Sequence, residues 1–176
     1  DEGSKRAKTN ASNFRIRFRD HRICGKIRGL IMSKSLKIAI VASRFNDLLV
    51  EKLIQSSVDT LKENNCSEES IDIFRVSGAF ELPLIAKKVG ESRKYDGIIA
   101  LGAVIRGATP HFDYICAETS AGLSRVSIDL GIPIGFGVLT CDTMNQAIER
   151  SGDGSGNKGV EATLATLEMI KTIESL

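Results

Sequence analysis

Residues 97–114 read Gly-Ile-Ile-Ala-Leu-Gly-Ala-Val-Ile-Arg-Gly-Ala-Thr-Pro-His-Phe-Asp-Tyr, and their pattern decides the fold class. The first nine are apolar or glycine without a break, as in a strand covered on both faces. Arg106-Gly107-Ala108-Thr109-Pro110 interrupts the run with a polar, glycine-bearing turn, and a helix is expected from near Phe112. Strand, turn and helix in that order make half of a βαβ unit.

The same unit recurs on either side. Ile38 to Ala42 is a second continuous apolar run, followed by Leu49, Leu53, Ile54, Val58 and Leu61 on one helical stripe. Asn46 or Asp47 reads as the N-cap of that helix. A strand at Ile71 to Val76 precedes a helical stretch through Leu84, Ile85 and Val89. A strand at Ile132 to Leu139 leads to Ala147 and Ile148, then to a glycine-rich break at 152–159. Val160, Leu164, Leu167, Ile170 and Ile173 form the last helical stripe. This alternation predicts an α/β three-layer sandwich: a central, mostly parallel four-stranded sheet flanked by helices. Ile27 to Met32 is a possible N-terminal strand.

The 176 residues, 42% hydrophobic and 26% charged, suit one globular domain. No apolar run approaches the roughly 18 residues that would span a bilayer. Cys24, Cys66, Cys116 and Cys141 are widely spaced with no C-x-x-C pair, so reduced thiols in a cytoplasmic compartment are expected rather than a zinc site or disulfides. Residues 1–35 hold ten Lys/Arg against three Asp/Glu, and the rest fourteen against nineteen, giving +7 and −5. The basic character belongs to the first segment, and the body carries no sign of a nucleic-acid surface or a membrane partner. We expect a basic arm over 1–22, either disordered or a targeting or fusion remnant, and a single domain over 23–176. Met32 reads as a candidate internal start.

In open parallel sheets, ligands gather beyond the carboxyl ends of the strands. Here those ends carry Ser43-Arg44-Phe45-Asn46, Ser77-Gly78-Ala79-Phe80-Glu81 and Arg106 through His111. His111 is the sole histidine beyond the arm, which holds His21. An imidazole at a strand end suits proton transfer near neutral pH, although a lone histidine is often structural. The turn before it opens a helix and can present N–H groups to an anion. Phe45 reads either as a hydrophobic staple on the following helix or as a stacking face. Glu81 reads as a helix-start carboxylate or as an acceptor for ligand hydroxyls. Gly154, Gly156 and Gly159 fit G-x-G-x-x-G, but they follow no strand, and the acidic residue expected about 20 positions on would fall past Leu176. The stretch reads as a flexible helix–helix connection, with Arg150 and Lys158 available to a phosphate.

Four segments in order carry a closer resemblance: Arg44-Phe45-Asn46, Ser77 through Pro83, Gly102 through Tyr114, and Glu149-Arg150 with Gly156-Asn157-Lys158-Gly159. With them the chain resembles the lumazine synthases from about residue 27 to 174. The resemblance implies a flavodoxin-like fold and a transferase of riboflavin biosynthesis. Its reaction joins 5-amino-6-(D-ribitylamino)uracil to 3,4-dihydroxy-2-butanone 4-phosphate, giving 6,7-dimethyl-8-ribityllumazine, phosphate and water. By that resemblance Phe45 stacks on the pyrimidine, and Ala79, Phe80 and Glu81 line the uracil and ribityl pocket. Ala103, Val104 and Ile105 offer backbone groups to the ring. Ala108 and Thr109 hold the sugar phosphate, Arg150 neutralises its phosphate, and His111 moves the protons. Phe136, inside the fourth strand, is implied to serve a neighbouring subunit's site. No metal or organic cofactor is implied, and the expected partners are the two substrates and further copies of the chain. The expected assembly is a homopentamer or an icosahedral capsid of twelve pentamers. Gly154 stands where some members carry a lysine, which leaves more of the phosphate charge to Arg150. The competing readings are an archaeal-type riboflavin synthase, a flavin-binding module and a shell protein. The intact 102–114 stretch, together with His111 and Arg150, favours the lumazine synthase reading over all three.

Overall fold

Ile38 to Ser43, six residues with no exposed member, form β1 at the centre of the sheet. In the computed structural model, which describes residues 35–154 and 156–176, β1 is flanked by two parallel strands. Ile71–Val76 (β2) pairs on one side and Gly97–Ile105 (β3) on the other, while Ile134–Cys141 (β4) pairs with β3. The order β2-β1-β3-β4, parallel throughout, is that of a doubly wound sheet. The expected strand at 27–32, the arm at 1–22, His21 and Cys24 lie outside the described residues.

Side chains alternate between two cores. Ile38, Ile40, Ile99, Leu101 and Leu139 face α1 (Asp47–Glu63) and α5 (Lys158–Glu174), with Leu53, Leu61, Leu167 and Ile170 opposite. Ala39, Val41, Ile98 and Val138 face α2 (Leu82–Glu91) and α3 (His111–Leu130), with Leu82, Ala86, Leu123 and Val126 opposite. Each such fully buried leucine, cut to alanine, would cost about 2–5 kcal/mol. The short α4 (Met144–Ser151) sits on the first side, where Ala147 is fully buried. β4 comes close to α5 because Gly135 has no side chain: a methyl there would run into the Ala162 carbonyl.

Three expectations are corrected. The fourth strand starts at Ile134 rather than Ile132 and runs on to Cys141. Gly131 takes a left-handed φ of 61°, so the Ile132 N–H bonds back to Ser127 O at 3.2 Å and ends α3. Asn46 precedes α1 as expected, but it is left-handed (φ 60°) and its side chain makes no cap bond. The break after α4, expected as a flexible connection, is tied down at Asn157. Asn157 is only 4% exposed, and its oxygen caps α5 through Gly159 N and Val160 N, at 2.8 and 3.2 Å. Its nitrogen donates to Ser151 O and Gly152 O, both at 3.1 Å, which ties α5 to the end of α4.

Candidate active site

The chain leaves β1 for β2 on one side and returns to β3 on the other. The loops after β1 and β3 therefore part and leave a crevice at their carboxyl ends. β3 also outruns its neighbour: the last pair with β1 is Ala42 with Leu101, while the pairing with β4 continues to Ile105 and Cys141. Backbone groups of a strand alternate sides. The Ala103 carbonyl accepts from the Asn46 side chain on the β1 side, so Ile105, two residues on, presents its N–H and C=O to the same crevice. Val104 is turned the other way, toward β4.

The crevice opens into a cleft of about 520 Å³. Of the residues expected in the site, Phe45, Ala79, Phe80, Glu81, Ala103, Val104, Ile105, Thr109 and His111 line it, while Ala108 does not. Ser77, Gly78, Gly107, Phe112 and Ile115 line it as well. Ile115 follows His111 by one helical turn, so the face of α3 beneath the imidazole is apolar. That spacing was readable from sequence once His111 was placed at the start of the helix.

Each loop is fastened locally. Arg44 N donates to Val76 O at 2.8 Å and Phe45 N to Ser77 O at 3.0 Å, which zips the turns after β1 and β2 together. The Arg75 side chain donates to Ser43 O at 3.2 Å and pairs with Asp47 and Glu51 at the start of α1. Phe45 projects from this frame 71% exposed and Phe80 58% exposed. Such exposure excludes the staple reading of Phe45, because a staple ring is covered by its helix. Glu81 is the last residue of a short turn at Ala79–Glu81, and one of its oxygens accepts from Gly78 N at 2.9 Å. Glu81 thereby brings a carboxylate to a cleft whose wall is otherwise largely apolar.

Phe136 and Arg150 are elsewhere. They line a separate cleft of about 870 Å³ along the open edge of β4, with Glu149, Lys158 and Glu161. Phe136 is 43% exposed in mid-strand, and Lys158 is paired with Glu161. Cys141 lines the same cleft, and burial raises its thiol pKa above the ordinary value. Cys66, Cys116 and Cys141 are all free thiols.

A parallel α/β sheet whose switch point gathers an imidazole, two exposed aromatic rings, a carboxylate and free strand-end backbone defines an α/β enzyme for small, flat, polar substrates. Residues 35–174 match the family described as 6,7-dimethyl-8-ribityllumazine synthase, and the chain belongs to that family. A protein of that name from Nitratidesulfovibrio vulgaris (strain DP4) is 54% identical over 150 residues, 85% of this chain and 96% of its own length. Another, from Desulfovibrio desulfuricans, is 51% identical with the same coverage. A solved GDSL-like lipase from Bacteroides thetaiotaomicron overlays with a TM-score of 0.37 at 9% identity, over 88% of this chain and 72% of its own, a likeness too slight to carry an argument.

Proposed function

We propose that the chain is a transferase of riboflavin biosynthesis that condenses 5-amino-6-(D-ribitylamino)uracil with 3,4-dihydroxy-2-butanone 4-phosphate, releasing 6,7-dimethyl-8-ribityllumazine, phosphate and water. The observation that carries it is the convergence of His111, Thr109, Phe45, Phe80 and Glu81 on one switch-point cleft in a chain of this family. Phe45 offers its exposed face to the pyrimidine. The backbone of Ala103 and Ile105 is the polar edge for the ring amides, with Val104 between them. Ala79, Phe80 and Glu81 enclose the ribityl chain, where a carboxylate oxygen accepts from hydroxyls. Ala108 and Thr109, at the helix start, take the sugar phosphate. His111 gives and takes the protons of imine formation and phosphate elimination, steps that call on no redox group or metal.

Phe136 and Arg150 complete the site from a second copy. The cleft they share is separate from the His111 cleft of their own chain, so a head-to-tail neighbour that lays the β4 edge against the His111 cleft supplies both at once. A head-to-tail contact either closes into a ring or runs on as a filament, and a shared site in every subunit needs closure. We assign a ring of five, able to pack as twelve rings into an icosahedral capsid, located in the cytoplasm. Arg150 neutralises the phosphate by a charge-assisted contact, with no lysine at position 154 to share the charge. Among the described residues no helix is long and apolar enough to cross a membrane. We assign catalysis to residues 23–176 and treat 1–22 as a basic arm.

Mixing both substrates with the purified chain should generate the absorbance of the lumazine. His111→Ala should slow turnover by about 10²–10⁴, the usual share of an acid–base group. Part of the rate survives because pairing two substrates lowers the barrier by itself. No product from the wild type, or unchanged turnover in the mutant, overturns the assignment.

A further inference from the structure

Residues 106–111 are all exposed, so no buried side chain between Ile105 and Phe112 pins the loop that carries Thr109 and His111. The fastening is ionic instead. Arg106 and Asp113 stand at the two ends of the loop and meet as fork on carboxylate. Arg106 Nη1 donates to Asp113 Oδ2 at 3.1 Å, and Nη2 lies 2.9 Å from Oδ1. Arg106 Nε donates to Asp142 Oδ1 at 2.7 Å, and Cζ sits over the Phe112 ring, 4.2 Å from its centroid. Two backbone bonds support the clasp: Arg106 N to Cys141 O and Asp113 N to Pro110 O, both 3.0 Å. The hydrogen bond to Asp113 and then that to Asp142 raise the Arg106 pKa above its ordinary value, and Arg106 in turn holds Asp113 below the usual carboxylate range.

Exposed ion pairs contribute little to global stability. A planar two-point pair does set orientation as well as distance. Here the orientation it sets is that of the first turn of α3, whose first residue is His111. We propose that Arg106 is a positioning residue for His111: its clasp on Asp113 and Asp142 closes the base of the 106–113 loop and holds the imidazole toward the cleft. The inference rests on the assignment of His111 as the proton-transfer group.

The test compares the full chain with Arg106→Gln, Arg106→Lys and Asp113→Asn, each alone and combined with His111→Ala. In Arg106→Gln, kcat should fall about 10- to 100-fold, the usual effect of a misplaced catalytic group. The KM for either substrate should stay within about threefold and the melting temperature within a few degrees, because the pair is exposed. Arg106→Lys should recover part of kcat, since an ammonium reaches one carboxylate but cannot make the fork. On the His111→Ala background, Arg106→Gln should remove no further activity, because the group it positions is already gone. An equal loss in both backgrounds, a loss confined to KM, or an unchanged kcat overturns the proposal. Wild-type turnover in His111→Ala alone would instead remove the assignment on which it rests. If Arg106→Gln does not fold, Asp113→Asn opens the same clasp from its other end and is read in the same way.

Discussion

The side-chain amide of Asn46, just past β1, donates to the carbonyl oxygen of Ala103 near the end of β3 across 2.8 Å. That bond spans the crevice at the switch point and holds the turn that projects Phe45. Asn46 is also left-handed, a conformation asparagine tolerates better than most residues. Asn46→Ala should cost about 2–3 kcal/mol, combining about 1 for the hydrogen bond with 1–2 for a left-handed alanine. Asn46→Gly should cost less, since only the bond is lost. Urea unfolding separates the two, and equal losses would remove the backbone part of the argument.

The two clefts make a complementation experiment possible. If His111 serves its own chain's site and Arg150 serves a neighbour's, then His111→Ala and Arg150→Ala each damage every site in a uniform ring. Refolded together one to one, random rings should contain intact sites at about a quarter of the wild-type number. Activity should rise on mixing. No recovery, in rings shown to contain both chains, would place Arg150 and His111 in the same subunit's site. Arg150→Ala by itself should mainly raise the KM for the butanone phosphate.

At the opposite ends of the strands, Tyr95 Oη donates to Asp72 Oδ2 at 2.8 Å, with Lys37 Nζ 3.2 Å from the same oxygen. Burial, then the hydrogen bond to Asp72, pushes the phenol up to about 12. A raised value means the native state favours the neutral phenol over the unfolded chain, where the phenol titrates at about 10. The contribution is therefore complete below about pH 10 and is lost as pH climbs toward 12. Urea midpoints of the wild type should fall across that window, and Tyr95→Phe should flatten the fall. Parallel curves for the two proteins would refute this.

Asn157 predicts the largest polar loss. Alanine there removes the cap of α5, worth about 1 kcal/mol, and strands buried groups at about 1–3 more, so a total near 2–4 kcal/mol is expected. Asn157→Asp keeps the acceptor and loses the donor, and should fall between the two. Because Ser151, whose carbonyl Asn157 holds, directly follows Arg150, the alanine variant should also weaken the butanone phosphate. A stability loss below about 1 kcal/mol would show the anchor to be dispensable.

Much of the fold was legible because its signals are local. The β2 and β3 boundaries expected from the sequence agree with the observed strands, and among the described residues α1, α2 and α5 follow the expected helical stripes. The displaced start of β4 depended on Gly131 and Ser127 closing a helix end, which a hydrophobic pattern does not record. Of the residues expected in the site, nine share one cleft, since loops that follow parallel strands emerge on one edge whatever their details. The anchoring role of Asn157 is not legible in the sequence: glycine-rich composition looks flexible until one buried amide is seen to bond both flanking helices.

What the sequence by itself determined is what short-range physics encodes: strands, helices, the edge where the polar loops gather, and the single imidazole among them. The tertiary structure alone decided which distant groups meet. Asn46 with Ala103, Arg106 with Asp142, and Asn157 with Ser56 at 3.0 Å are pairs whose partners lie on different elements. It also set Phe136 and Arg150 apart from His111, in a cleft of their own. The physical reason is the same each time. Hydrophobic period and turn chemistry act within a few residues along the chain, whereas side-chain pairing depends on the register and twist of a sheet that exists only once all four strands have packed.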